Sequence, residues 1–189
     1  MPAKPTKYGI KVWIAADASN GFVLNHKVYL GKERNAAHQH GLGYDVVTDV
    51  TRPFLLKNHH LYFDNFFSSS KLLEDLLIQK TYACSTVRIN RKGLPPGSQR
   101  KLKKGEMLVI QKGNLVFTKW HDKRDVSVLS TNCDPLDPPN VIERRNARGE
   151  VVCVEKPKAV VMYNEHMGGV DCADQLRSYN SACRPSHKW

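Results

Sequence analysis

No run of about 18 consecutive apolar residues occurs in the 189-residue sequence, so no segment reads as a membrane-spanning helix. Acidic side chains are scarce, 18 against 29 lysines and arginines, for a net charge of +11. Such a surplus calls for an anionic partner, nucleic acid first and an acidic membrane surface second; the charges cluster, which favours nucleic acid. The start, MPAKPTKYGIKV, carries no apolar signal core, and a reducing compartment is expected. The five cysteines (Cys84, Cys133, Cys153, Cys172, Cys183) are odd in number and widely spaced, with no C-x-x-C pair; they are expected to be reduced, mostly buried and not metal ligands. His38 and His40, and the adjacent His59 and His60, have no cysteines at zinc-site spacing, which argues against structural zinc. A phosphate-cradling G-x-x-x-x-G-K-S/T loop and a serine or cysteine nucleophile elbow are both missing. What remains is a globular balance, 41% hydrophobic and 25% charged, in a length sufficient for one ordinary domain or most of a larger one.

The first structured segment, residues 8–16 (YGIKVWIAA), has the β-branched and aromatic content of a buried strand. Turn chemistry follows in DASNG, where Asn-Gly supplies positive φ, and residues 22–30 (FVLNHKVYL) alternate as a returning strand, which together predict a β-hairpin. Residues 31–43 read as a polar loop. Residues 44–56 (YDVVTDVTRPFLL) space their apolar positions as a helix that ends near Pro53. A short strand over 60–63 (HLYF) ends in Asp64, serines 68–70 offer an N-cap for a helix over 71–79, and 82–87 (YACSTV) reads as another buried strand. The order of hairpin, helix, strand, helix, strand is an α/β pattern. Residues 88–104 differ in kind, with seven basic residues, no acidic one and a Pro-Pro pair, and predict an exposed basic loop. Three short strands are expected over 106–112, 115–120 and 125–130, a proline-rich then arginine-rich linker over 133–149, and a Gly-Gly turn into a helix starting near Asp171.

Asp64 ends an apolar strand flanked by aromatics, so its carboxylate either projects into a cleft as a Mg²⁺ ligand does in two-metal phosphoryl transfer or caps the next turn. Asp171, in GGVDCADQ, is a metal ligand or an ordinary N-cap, and Asp174 one turn on could share either role. Asp17 also ends a strand, but it enters the DASNG turn and is assigned to turn chemistry, with metal binding the lesser reading. Within the basic loop, Arg88, Arg91, Lys92, Arg100, Lys101, Lys103 and Lys104 are candidate phosphate contacts, of the kind that position DNA without reading its sequence. Trp120, with Lys119, His121, Lys123 and Arg124 nearby, either packs in the core or stacks on an unpaired base.

Five strings in series resemble piggyBac-type transposases and proteins derived from them: KPTKYGIKVW, GKERN with GLGYDVV, HHLYFDNFFSSSKLLEDL, TYACSTVRINRKGLP and MGGVDCADQLRSY. The resemblance implies a ribonuclease-H-like catalytic fold in which three aspartates hold two Mg²⁺ ions for hairpin-forming DNA cleavage and strand transfer. It places Asp64 at the second acid and Asp171 at the third, and the first is expected upstream of KPTKYGIKVW, outside this chain. The expected architecture is therefore an incomplete α/β core with an inserted β-rich basic segment: 1–87 core, 88–157 insertion, 158–189 return to the core. Mg²⁺ is expected to bind weakly or not at all.

Three functions follow as expectations. The chain is a DNA-binding transposase-derived fragment without transposition activity, a fragment of an active transposase, or an interaction module that pairs with a full-length transposase and modulates it. DNA is the expected partner, with a homodimer or a dimer with a full-length relative besides, no membrane, and a nuclear location.

Overall fold

The computed structural model describes residues 10–31, 39–145 and 149–179. These fall into two units, 10–31 with 168–179 and 39–145 with 149–167.

In the first unit, strands β1 (Val12–Ala16) and β2 (Val23–Val28) pair antiparallel, Trp13 opposite Lys27 and Ile14 opposite His26, with a bulge at Ala15/Ala16. The DASNG turn closes the hairpin as its residues predict. Gly21 takes φ +75°, the Asp17 amide donates to the Phe22 carbonyl at 2.8 Å, and the Gly21 amide donates to the Asp17 carbonyl at 2.9 Å. Trp13 is buried, with the Lys11 ammonium 3.9 Å from its ring centroid. The helix over Gly169–Tyr179 packs on β1. Two glycines permit the approach: a Cβ on Gly169 would lie 2.9 Å from the Asp17 carbonyl oxygen, and one on Gly21 would lie 2.9 Å from Cys172 Sγ.

The second unit is built on a five-stranded sheet. Helix α1 (Leu42–Thr51) runs into a 3₁₀ turn at Arg52–Phe54, where Pro53 ends the α-helical ladder. Strand β3 (His60–Phe63), helix α2 (Ser70–Ile78) and strand β4 (Tyr82–Thr86) form a parallel crossover, with Ser69 accepting the Leu72 amide as N-cap at 3.2 Å. Strands β5 (Met107–Lys112), β6 (Leu115–His121) and β7 (Asp125–Ser130) then add antiparallel in the order β3-β4-β7-β6-β5. The strands of residues 107–130 thus hydrogen-bond into the same sheet as β3 and β4.

Both faces of that sheet are covered, and the pleat decides which side chain meets which layer. On one face Ala83, Val87, Leu115, Phe117 and Leu129 meet Val47 of α1 and Leu72, Leu73 and Leu76 of α2. On the other, Cys84, Trp120 and Val128 meet Ala159, Val160 and Tyr163. Strand β6 is consequently buried from Leu115 through Trp120, polar and apolar positions alike. Burying each of Leu72, Leu73, Phe117 and Leu129, which are almost wholly enclosed, contributes about 1.5–3 kcal/mol.

Three sequence expectations are corrected. Residues 133–149, expected as a linker, instead carry β8 (Asn140–Arg145), which pairs antiparallel with β9 (Val151–Lys156). Arg144 takes an inward position because its guanidinium binds Asp122 at 2.5 and 2.6 Å, so the alternation of this strand is not one of hydrophobicity. An unexpected helix, α3 (Lys158–His166), begins directly after Pro157, and its Ala159, Val160 and Tyr163 form the stripe that covers the second face. The last helix, α4 (Gly169–Tyr179), starts two residues before Asp171, which therefore sits in the first turn and not at the cap.

Candidate nucleic-acid interface

Asp64 follows β3 and is exposed. Its Oδ1 accepts the Phe66 amide at 2.8 Å, and its carbonyl accepts the Phe67 amide at 3.3 Å, so it organises a tight turn. That turn is held from two further sides. Arg88 Nε donates to Asn65 Oδ1 at 2.9 Å, and Arg91 donates to the Asn65 and Phe66 carbonyls at 2.9 and 3.0 Å. Gly43 of α1 lies so close that a Cβ there would be 2.9 Å from the Phe66 carbonyl oxygen.

The basic loop therefore divides by function. Arg88 and Arg91 hold the Asp64 turn, and Arg100 pairs with Glu106 at 2.5 Å. Lys92, Lys101, Lys103 and Lys104 are exposed, and their ammonium groups meet no acid among the described residues. The sheet places the last three at one end. Met107, at the start of β5, pairs with Trp120 near the end of β6, and Val87, just past β4, donates to the Ser127 carbonyl at 2.9 Å. Asp64 stands at that same end, because β3 runs parallel to β4.

Two of the candidate DNA-facing residues turn inward. Trp120 is buried against Cys84, Val128 and α3, which settles its core role, and its indole N–H has no acceptor among the described residues. Lys119 is buried on the opposite face, where its ammonium donates to the Arg100 carbonyl at 2.7 Å and pairs with Asp125 at 3.0 Å. Lys123 and Arg124 remain exposed in the β6–β7 turn.

The histidines are dispersed. His40 lies against Tyr44, His59 against Phe54 and His60 against Tyr82, while His38 falls outside the described residues. Sequence reasoning passed over Tyr62, whose ring stacks on His166 with centroids 4.6 Å apart and whose hydroxyl accepts from Asn132 at 3.3 Å; burial raises its pKa. Cys84 is buried, and burial pushes its thiol far up; Cys153 is exposed, against the expectation of burial, and Cys183 falls outside the described residues.

In the first unit, Asp17 Oδ1 accepts from the Ser19 hydroxyl at 2.6 Å and the Ser19 amide at 2.8 Å, and these bonds hold its pKa below the ordinary carboxylate value. Asp171 is exposed in the first turn of α4, where the positive end of the helix favours a carboxylate, and Asp174 pairs with Arg177 at 3.5 Å. The segment that carries Asp17 abuts the first turn of this helix, through Gly169 and through Cys172 Sγ, 3.7 Å from the Asn20 carbonyl oxygen.

A family model described as "Transposase IS4" matches residues 1–189. The chain belongs to that transposase family. It is similar to the human piggyBac transposable element-derived protein 3, 31% identical over 200 residues that cover 98% of this chain and 33% of that protein. It is also similar to the human piggyBac transposable element-derived protein 2, 26% identical over 183 residues, covering 91% of this chain and 31% of the relative. The chain thus spans about a third of the length of the curated relatives it matches. A cryo-EM structure of piggyBac transposase in a synaptic complex with hairpin DNA superposes with a TM-score of 0.78 at 29% identity, over 100% of this chain and 38% of the other. The piggyBac resemblance and the ribonuclease-H-like α/β class read from the sequence are both shown by these matches.

Transposases of this kind generally use divalent metal. Among the described residues of this family member, no three His, Cys, Asp or Glu side chains converge as ligands, and Asp64 and Asp171 belong to different units. No metal-borne step is assigned to them. No helix among the described residues is long and apolar enough to cross a membrane.

Proposed function

We propose that this chain is a DNA-binding part of a piggyBac-type transposase that grips backbone phosphates through the lysines of its 88–104 loop. The observation that carries the reading is the exposure of Lys92, Lys101, Lys103 and Lys104 without acidic partners among the described residues, in a chain with net charge +11. The similar piggyBac transposase is solved as a complex with hairpin DNA, which supports DNA over a membrane as the anion. Arg88, Arg91 and Arg100 support the loop in this reading, and a nuclear location follows from the substrate. Binding measured by fluorescence anisotropy on unrelated 30-bp duplexes is expected to weaken steeply with salt. Replacing the four lysines by glutamine lowers the slope of log K against log salt by about 0.9 for each phosphate no longer neutralised, equally for all duplexes. An unchanged slope overturns the assignment.

A further inference from the structure

Three acidic residues lie at the β5–β6–β7 end of the sheet, and each is already matched to a cation of its own. Glu106 takes Arg100 at 2.5 Å. Asp122 takes both forks of Arg144, reaching across from β8, at 2.5 and 2.6 Å. Asp125 takes the buried Lys119 at 3.0 Å and the His121 ring. Hydrogen bonds from Arg144 and from His121 hold the Asp122 and Asp125 carboxyls below their ordinary pKa, so both are ionised at neutral pH and fully engaged.

Around these matched pairs stand exposed cations that form no ion pair among the described residues, although Lys123 adjoins Asp122 and its charge and backbone amide help to lower that carboxyl's pKa. Lys103 and Lys104 precede β5, and Lys123 and Arg124 form the β6–β7 turn. Backbone bonds join the two turns: the Gly105 amide donates to the His121 carbonyl at 2.7 Å, and the His121 amide donates to the Glu106 carbonyl at 3.1 Å. A bare cationic cluster of this kind repels itself unless an anion sits over it.

We infer that the β6–β7 turn is a second DNA-phosphate contact, continuous with Lys103 and Lys104, and that Arg144 keeps it open by occupying Asp122. Arg144 is thus a positioning residue. Were Asp122 free, its carboxylate would neutralise the neighbouring Lys123 or Arg124 and repel the phosphate. The inference rests on the DNA-binding reading above but adds Lys123, Arg124 and Arg144, which lie outside the 88–104 loop.

The test is the salt dependence of binding of the full chain to 30-bp DNA duplexes of unrelated sequence. Lys123→Gln with Arg124→Gln is expected to lower the log–log slope by about 1.8, the value for two phosphate contacts. Arg144→Gln is expected to weaken binding, and adding Asp122→Asn to it restores the affinity. A double variant as weak as Arg144→Gln alone overturns the role given to Arg144. An unchanged slope in the Lys123/Arg124 variant, while the four-lysine variant shows a reduced one, overturns this contact and leaves the DNA reading standing. No duplex binding by the unsubstituted chain overturns both. Preference for a duplex RNA of equal length through the same residues replaces DNA as the partner.

Discussion

Tyr44 of α1 donates its phenolic proton to Asp75 of α2 at 2.6 Å, while Lys71 donates to the other carboxylate oxygen at 2.5 Å. The bond to Asp75, with burial and the nearby negative charge behind it, raises the Tyr44 pKa from 10.0 to about 12. A raised folded-state pKa contributes stability that is complete below pH 10 and is lost as pH climbs through about 12. Asp75 has the opposite sign: burial pushes its pKa up, but the bonds from Lys71 and Tyr44 outweigh burial, so its contribution is present above pH 3.8 and lost as pH falls below it. Tyr44→Phe is expected to cost about 1–2 kcal/mol in urea unfolding at neutral pH, the range for a partly exposed hydrogen bond to a charged group. The gap between the two proteins closes between pH 10 and 12. A gap that persists unchanged through the same range removes the bond from the account.

At the level of elements, the contact between hairpin and helix in the first unit depends on a missing side chain. Gly169→Ala sets a methyl group against the backbone at Asp17, which cannot swing aside as a flexible side chain could. The expected cost is about 1–3 kcal/mol, seen as faster amide exchange in β1 and β2 with exchange in the five-stranded sheet unchanged. Uniform acceleration in both units counts against it. The elements most easily read from the sequence were those whose own residues specify them, such as the DASNG hairpin, the Pro53 stop and the Ser69 cap. Those missed were specified from a distance. β8 shows no apolar alternation because one of its inward positions is an arginine answering Asp122, and α3, with two adjacent valines, has weak propensity and is fixed by the sheet face it covers. The site followed the same rule: the exposure of the four lysines was legible, but the capture of Arg88 and Arg91 by the Asp64 turn depends on partners more than 20 residues away.

For the molecule as a whole, apolar burial is unevenly distributed. The second unit holds two hydrophobic clusters, one on each face of a five-stranded sheet. Among the described residues the first has a two-stranded hairpin and one helix, with Trp13 as a large buried side chain, an assembly of a size that is marginal in water. Native-state hydrogen exchange is therefore expected to release amides of residues 12–28 at a lower opening free energy than those of 83–86, 115–121 and 127–130. Equal protection in the two sets refutes this ordering.

The two arginines that brace the Asn65–Phe66 turn bear on how such a gene ages. Their hydrogen bonds serve the fold whether or not DNA is ever bound. If the four lysines grip DNA as proposed, a lineage that stops using DNA but still needs a folded product retains Arg88 and Arg91 while Lys92, Lys101, Lys103 and Lys104 drift. One that keeps binding retains all six. The ratio of substitutions at the four lysines to those at the two arginines, counted across diverging copies, would thus date the loss of the ligand separately from the loss of the protein.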